Sequence, residues 1–192
     1  MPGWITNGVP NNTIYSGAEL WDMDTQNANG SNPQTATTNT AQLAAAISYF
    51  GQVKDKTMVA GSRYFSSINI GFPATLTGIQ ALVGTTGGTD LWIFELHSPT
   101  GVLLATSATA GTTAGTASTW QRIAFTATYN LTVPGTYYIA VQSNGTTAKL
   151  ATLNSDVNPT LTGSATGVFG TGASITPPTT YTANLGPMAM LY

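Results

Sequence analysis

The sequence predicts an all-β protein: an antiparallel β-sandwich, jelly-roll-like, preceded by an extended N-terminal arm with one short helix. Three observations predict it. From about Gly61 onward, short runs of β-forming residues alternate with Gly, Pro, Asn and Thr turns, the rhythm of a sandwich or jelly roll. Hydrophobic residues make up 42% of the 192-residue chain, enough to bury a core. Residues 1–57 lack that rhythm, and 25–40 is a polar stretch with almost no large apolar side chain. The chain therefore divides into an arm, 1–57, and a sandwich domain, 58–192.

Within the arm, a helix is predicted over about 41–50. Thr40 can cap it, Leu43, Ile47 and Phe50 fall on one stripe, the alanines favour helix, and Gly51 can end it. A helix of about ten residues does not stand alone in water, so the stripe is expected to dock on the sandwich or on a neighbouring chain. Lys54, Asp55 and Lys56 form the one charge-dense point and read as a solvated linker.

In the sandwich, eight strand candidates follow in order: 63–70, 75–84, 90–97, 102–107, 119–129, 135–143, 148–153 and 185–191. Gly87-Gly88 suits a hairpin, Pro134-Gly135 starts a strand, and Asn144-Gly145 is a two-residue hairpin signal. Alternation sets the faces. Trp92, Phe94 and Leu96 predict a core face, with Leu91, Ile93, Glu95 and His97 on an amphipathic, partly exposed one. Ile123 and Phe125, and Tyr137, Ile139 and Val141, fit one-sided burial in the same way. Residues 108–118 and 158–183 are rich in Gly, Thr, Ser and Pro and read as long surface loops, the second being the better candidate for an interaction loop.

Charge excludes several functions. Asp, Glu, Lys and Arg make up 6% of the chain, against about 25% in an ordinary soluble domain. Five scattered basic residues and a net charge of −2 give no patch for nucleic acid. A surface this neutral tolerates close packing against other subunits. With no cysteine, disulfides, thiolate metal sites and thiol nucleophiles are excluded. No apolar run approaches a membrane span, and residues 1–10 show no secretion signal, which predicts synthesis in the cytosol.

The chemistry-bearing residues are few enough to weigh one by one. His97 is the sole histidine, and no nucleophile elbow surrounds Glu95-Leu96-His97-Ser98, so a local Glu95–His97 contact is expected rather than a catalytic triad. No spacing pairs the seven acids across a cleft as a glycosidase requires. Glu19, Asp22 and Asp24 cluster and could offer oxygens to Ca²⁺, but the glycine and downstream glutamate of an EF-hand loop are missing; turn and capping roles are expected. The reading is of a non-enzymatic protein without catalytic residues, metal or cofactor. Carbohydrate binding is the competing function: Trp120 and Tyr138 stand opposite the expected core faces, where aromatics can stack on sugars or line a subunit contact.

Gly17-Ala18-Glu19-Leu20-Trp21-Asp22-Met23-Asp24-Thr25, Gly30-Ser31-Asn32-Pro33-Gln34-Thr35 and Thr40-Ala41-Gln42-Leu43-Ala44 together resemble an N-terminal pattern of small virion structural proteins of tailed bacteriophages. The runs 120–125 and 131–144 are similar to sandwich domains of phage decoration proteins, fibres and adhesins. The resemblance implies a capsid decoration or cement protein, assembled in the host cytoplasm and residing in the virion. Its partners would be the major capsid protein and sister copies, in a homo-oligomer such as a trimer. The expected arm anchors are Trp4, Trp21, Leu43, Ile47 and Phe50, because a few large apolar residues dominate such interfaces. A tail- or head-fibre adhesin that binds host carbohydrate, and a carbohydrate-binding module, are the alternatives.

Overall fold

The structure is a computed structural model that describes residues 53–154 and 160–192. The expected helix at 41–50, the arm anchors Trp4, Trp21, Leu43, Ile47 and Phe50, and the Glu19, Asp22 and Asp24 cluster lie outside the described residues. What is described is all-β. In chain order the strands are β1 (Val53–Thr57), β2 (Arg63–Ile70), β3 (Ala74–Leu82), β4 (Leu91–His97), β5 (Leu103–Thr106), β6 (Thr112–Thr113), β7 (Trp120–Leu131), β8 (Gly135–Ser143), β9 (Lys149–Leu153), β10 (Thr162–Ala165) and β11 (Ala189–Leu191). The eight runs of alternating or apolar residues all form strands.

Every pairing is antiparallel. One sheet has the order β10-β2-β8-β4-β5, with β6 also on β4; another has β11-β3-β7; β9 carries β1. Bridges at Val83–Leu150 and Thr152–Pro187, with Met188 N–H donating to the Ala151 carbonyl, tie β9 to the three-stranded sheet. The pairs β1·β9, β2·β8, β3·β7 and β4·β5 are nested one inside the next. The arrangement is sandwich-like, because each sheet turns one buried apolar row inward. Tyr64, Ile68, Trp92, Phe94, Leu96, Ile139 and Val141 supply one row, and Ile79, Ala81, Val83, Ile123 and Phe125 the other. At roughly 1.5–3 kcal/mol for each fully buried large apolar side chain, these rows dominate the stability of the fold.

A bulge adjusts the phase of β3. Leu76 pairs with Tyr129 and Gly78 with Ala124, so residues 125–128 of β7 stand opposite Thr77 alone. Leu76 and Ile79 then both face inward despite their odd spacing, as a bulge permits. Behind it, the Tyr192 ring crosses Gly78 to stack on the Arg122 guanidinium at 3.7 Å from the ring centre, a contact that a β-carbon at residue 78 would block.

Four expectations are corrected. The Lys54-Asp55-Lys56 segment is strand β1, paired with β9, rather than a solvated linker. Asp55 fixes it: the carboxylate accepts from the Thr85 backbone N–H at 2.9 Å and from its hydroxyl, and faces Lys149 Nζ at 3.5 Å. Burial alone would raise the Asp55 carboxyl, but the Thr85 hydrogen bonds and Lys149 outweigh it and hold it below the usual carboxylate range.

Asn144-Gly145 and Gly87-Gly88 do not close hairpins, because β8 and β9, like β3 and β4, belong to different sheets. Asp90 is the reason for the first: its carboxylate accepts from the Thr147 and Ala148 N–H groups at 2.7 and 2.8 Å and draws that segment across. The two long loops contain short strands, β6 and β10. Last, on the second face of β4 only Leu91 is partly exposed: Ile93, Glu95 and His97 are as buried as Trp92 and Phe94.

Candidate functional site

The covered second face begins with the strand register. Arg63 pairs with Gln142 and Gln142 with Ile93; Phe65 pairs with Ala140 and Ala140 with Glu95; Ser67 pairs with Tyr138 and Tyr138 with His97. Alternation sends all of these side chains to the face opposite the Trp92–Phe94 core. Arg63, Glu95 and His97, three of the rare ionisable residues, thus meet on one surface. They are 2%, 1% and 0% exposed.

Arg63 Nε donates to Glu95 Oε2 at 2.8 Å, and His97 Nε2 lies 3.2 Å from the same oxygen. The Glu95–His97 contact expected from the sequence forms, but buried rather than at a wet edge. A charge held out of water needs partners for its whole hydrogen-bonding capacity. Here the backbone supplies them: Arg63 Nη2 donates to the Thr171 carbonyl, and His97 Nδ1 lies 3.3 Å from the Gly101 carbonyl.

The cover is the strap 166–177, within the loop marked by its Gly and Thr content. Gln142 Nε2 donates to the Gly61 and Val168 carbonyls at 2.8 and 3.2 Å, and Gln142 Oε1 accepts from the Gly170 N–H at 3.4 Å. Ile175 N–H donates to the Gly101 carbonyl at 2.9 Å, and its side chain closes a small core with Phe65, Tyr138 and Ala140. Gly101 has φ +85°, and a β-carbon there would run into the Ile175 carbonyl, so only glycine brings strap and turn this close.

Of the two aromatics expected to face a sugar, Tyr138 is 5% exposed, shut beneath Ile175, and burial pushes its phenol up. Trp120 is 37% exposed at the start of β7, paired with Leu82 on a different sheet. The structure does not bring the two together. His97 has Glu95 and the Gly101 carbonyl at its ring nitrogens, with no serine or threonine hydroxyl at either to serve as nucleophile. Among the described residues, no group of three or more His, Cys, Asp or Glu side chains could hold a metal ion.

Two exposed features remain. Phe72, Val102 and Val133 stand in solvent. The register Ile70–Gly135, Ala74–Leu131 and His97–Leu103 places their three turns at the same end of the strands. Along the side, a cleft of about 240 Å³ runs between residues 103–106 of β5 and 126–129 of β7. Leucine, alanine, threonine and tyrosine line it without a charge, and Thr126 Oγ1 donates to the Thr106 carbonyl at 3.1 Å beside it.

Sequence reasoning missed Arg63 and Gln142. The available signal was their phase: each stands opposite the apolar row of its own strand, as Glu95 and His97 do on theirs. Fold and face together define an all-β protein of antiparallel sheets with one face sealed by a polar-fastened strap. No protein-family model matches the chain, and no curated protein does either.

Proposed function

We propose that the protein is a non-enzymatic virion structural protein, a capsid decoration or cement protein of a bacteriophage. In this reading the sandwich is a jelly roll, supported by the nesting of β1·β9, β2·β8, β3·β7 and β4·β5. That is the folded-hairpin order common in viral capsid and lectin domains. The likeness is one of fold and carries no function alone.

The observation that carries the reading is where the few charges go. Asp55 is held by Thr85 and Lys149, Asp90 by two backbone amides, and Glu95 by Arg63 and His97. Arg122 lies on the Tyr192 ring and Lys56 over the Tyr64 ring. Among the described residues, the three acidic side chains are engaged in holding the fold, and what faces outward is chiefly hydroxyl, amide and small apolar groups. Such a surface packs against neighbouring subunits at low desolvation cost. The apolar tips Phe72, Val102 and Val133 add area for that purpose.

On a shell, a contact of about 1,500 Å² is multiplied by symmetry, and the arm residues Trp4, Trp21, Leu43, Ile47 and Phe50 would anchor it on the capsid protein or a sister copy. The test is to locate the chain in purified particles and to measure shell binding by a truncated protein. Truncation belongs before Val53, because β1 is part of the sheet. Shell binding that survives loss of residues 1–52 removes the arm from the proposal, and presence on the tail alone removes the cement role.

One observation favours the alternative, a fibre or adhesin module that binds carbohydrate. The uncharged cleft between β5 and β7 offers threonine hydroxyls beside Tyr129, the mixture of hydroxyl and ring that sugars use. A glycan array without a hit would sink that reading.

A further inference from the structure

We propose that Asn144 is a modification site that registers opening of the crossing from β8 to β9. When residues 144–148 come away from Asp90 and Leu91, the Asn144 amide closes on the Gly145 nitrogen and converts irreversibly to a carboxylate. The inference rests on this crossing alone and is independent of the virion reading.

An asparagine followed by glycine is open to this reaction because glycine has no β-carbon to hinder approach to its own nitrogen. The Gly145 nitrogen attacks Asn144 Cγ, a new C–N bond forms, and the Cγ–Nδ2 bond breaks. The proton of the Gly145 N–H leaves with the side-chain nitrogen as ammonia. Water then opens the five-membered imide at either carbonyl, giving aspartate, or isoaspartate in which the main chain runs through the former side chain. Asn144 is exposed, so water reaches it.

In the closed crossing both reacting groups are tied. Asn144 Oδ1 accepts from the Leu91 N–H at 2.7 Å, and the Asn144 N–H donates to the Leu91 carbonyl at 3.1 Å, which holds the residue alongside β4. The Gly145 N–H faces Oγ of the buried Ser143 at 3.2 Å. Gly145 rests against the Asp90 carboxylate so closely that a β-carbon would collide with it. That carboxylate also accepts from the Thr147 and Ala148 N–H groups at 2.7 and 2.8 Å. Ring closure has to draw Cγ onto the Gly145 nitrogen in the aligned geometry of attack, a movement about the Asn144 torsions that all of these contacts oppose.

Opening reverses, but its product does not. An aspartate at 144 brings a second carboxylate beside Asp90, and like charges sharing a site disfavour one another. An isoaspartate adds a carbon to the main chain ahead of Thr147 and Ala148, so their two amides no longer meet Asp90 together. Either product favours the open crossing.

The experiment incubates the full-length protein at neutral pH and follows the amide-to-acid mass change at residue 144 by peptide mapping, which separates it from the pairs Asn7-Gly8 and Asn29-Gly30. The urea-unfolded chain gives the unprotected rate. Conversion is expected to be at least about tenfold slower in the folded protein. Asp90→Ala should recover most of the unfolded-chain rate while the amide of Ile139, in the central strand β8, keeps its protection from hydrogen exchange. Across a series of low urea concentrations, wild-type conversion should rise in step with exchange at Thr147 and Ala148 and not with that at Ile139; this series decides alone should Asp90→Ala fail to fold. An Asn144→Asp variant should exchange faster than wild type at Thr147 and Ala148. Equal rates in the folded and unfolded chain overturn the proposal, as do conversion unmoved by Asp90→Ala, conversion that follows Ile139, unchanged exchange in Asn144→Asp, or chain cleavage after Asn144 in place of conversion.

Discussion

The two faces of the central strands β2, β8 and β4 are both largely shut off from water, by different means. The inner face is closed by apolar rows: Trp92, Phe94, Leu96, Ile139 and Val141 on one side, and Ile79, Ala81, Ile123 and Phe125 on the other. The outer face is closed by a strap rich in Gly and Thr, pinned through Arg63, Gln142 and the Gly101 carbonyl, with Ile175 as its buried apolar plug and Phe169 half-buried beside Gly111. Apolar closure is additive and forgiving, whereas polar closure depends on each partner being present. The Trp92 indole N–H shows the other side of that rule, being buried in the apolar layer without a partner.

Removing one partner on the outer face should produce the largest effect. Glu95→Ala strands Arg63 in a buried site and is expected to cost about 4 kcal/mol in urea unfolding. The double change Arg63→Met with Glu95→Leu should recover most of that loss, since it removes both charges together. If the double variant is as unstable as the single one, the ion pair is not what makes this face sensitive. On the inner face, Leu96→Ala should cost about 3 kcal/mol by leaving a cavity, with no change in strap exchange at Ile175. Gln142→Ala comes next at about 2 kcal/mol, because the Val168 carbonyl and Gly170 N–H lose their partner, and strap amides should exchange faster while Ile139 does not.

Smallest is Asp55 on β1, away from both faces. Its carboxyl is held below its ordinary value, so the stabilisation is present above the unfolded-state value and is lost as pH falls through the folded-state value. Acid unfolding of Asp55→Asn should therefore begin from lower stability and fall less steeply than wild type. Parallel curves would mean that Thr85 and Lys149 contribute nothing there.

The comparison also marks what a sequence can reveal. The inner face was legible because alternation of Trp92, Phe94 and Leu96 against Ile93, Glu95 and His97 is a local pattern, and Gly and Pro punctuate the strands. The same alternation misled on the outer face. Glu95 and His97 read as wet because their cover lies far along the chain in a segment without periodicity. Strands β1, β6 and β10, with sequences VKDKT, TT and TGSA, carry no apolar alternation and form because neighbouring strands offer them hydrogen bonds. Asn144-Gly145 had the chemistry of a tight turn, yet Asp90, more than fifty residues earlier, decides its path. Of the candidate sites, Tyr138 was found in the right phase and assigned the wrong surroundings.

The nested pairing has a kinetic consequence. Val53 pairs with Leu153 and Arg63 with Gln142, so almost no long ladder can form until the second half of the chain exists. At about 5–20 residues added per second, β1, β2 and β3 wait several seconds on the ribosome as unpaired strands. A chain dominated by such distant pairings belongs among the slow folders, in the millisecond-to-second range. During that interval it must avoid pairing with its neighbours. The Lys54-Asp55-Lys56 charges on β1 then act as a guard for the strand that waits longest.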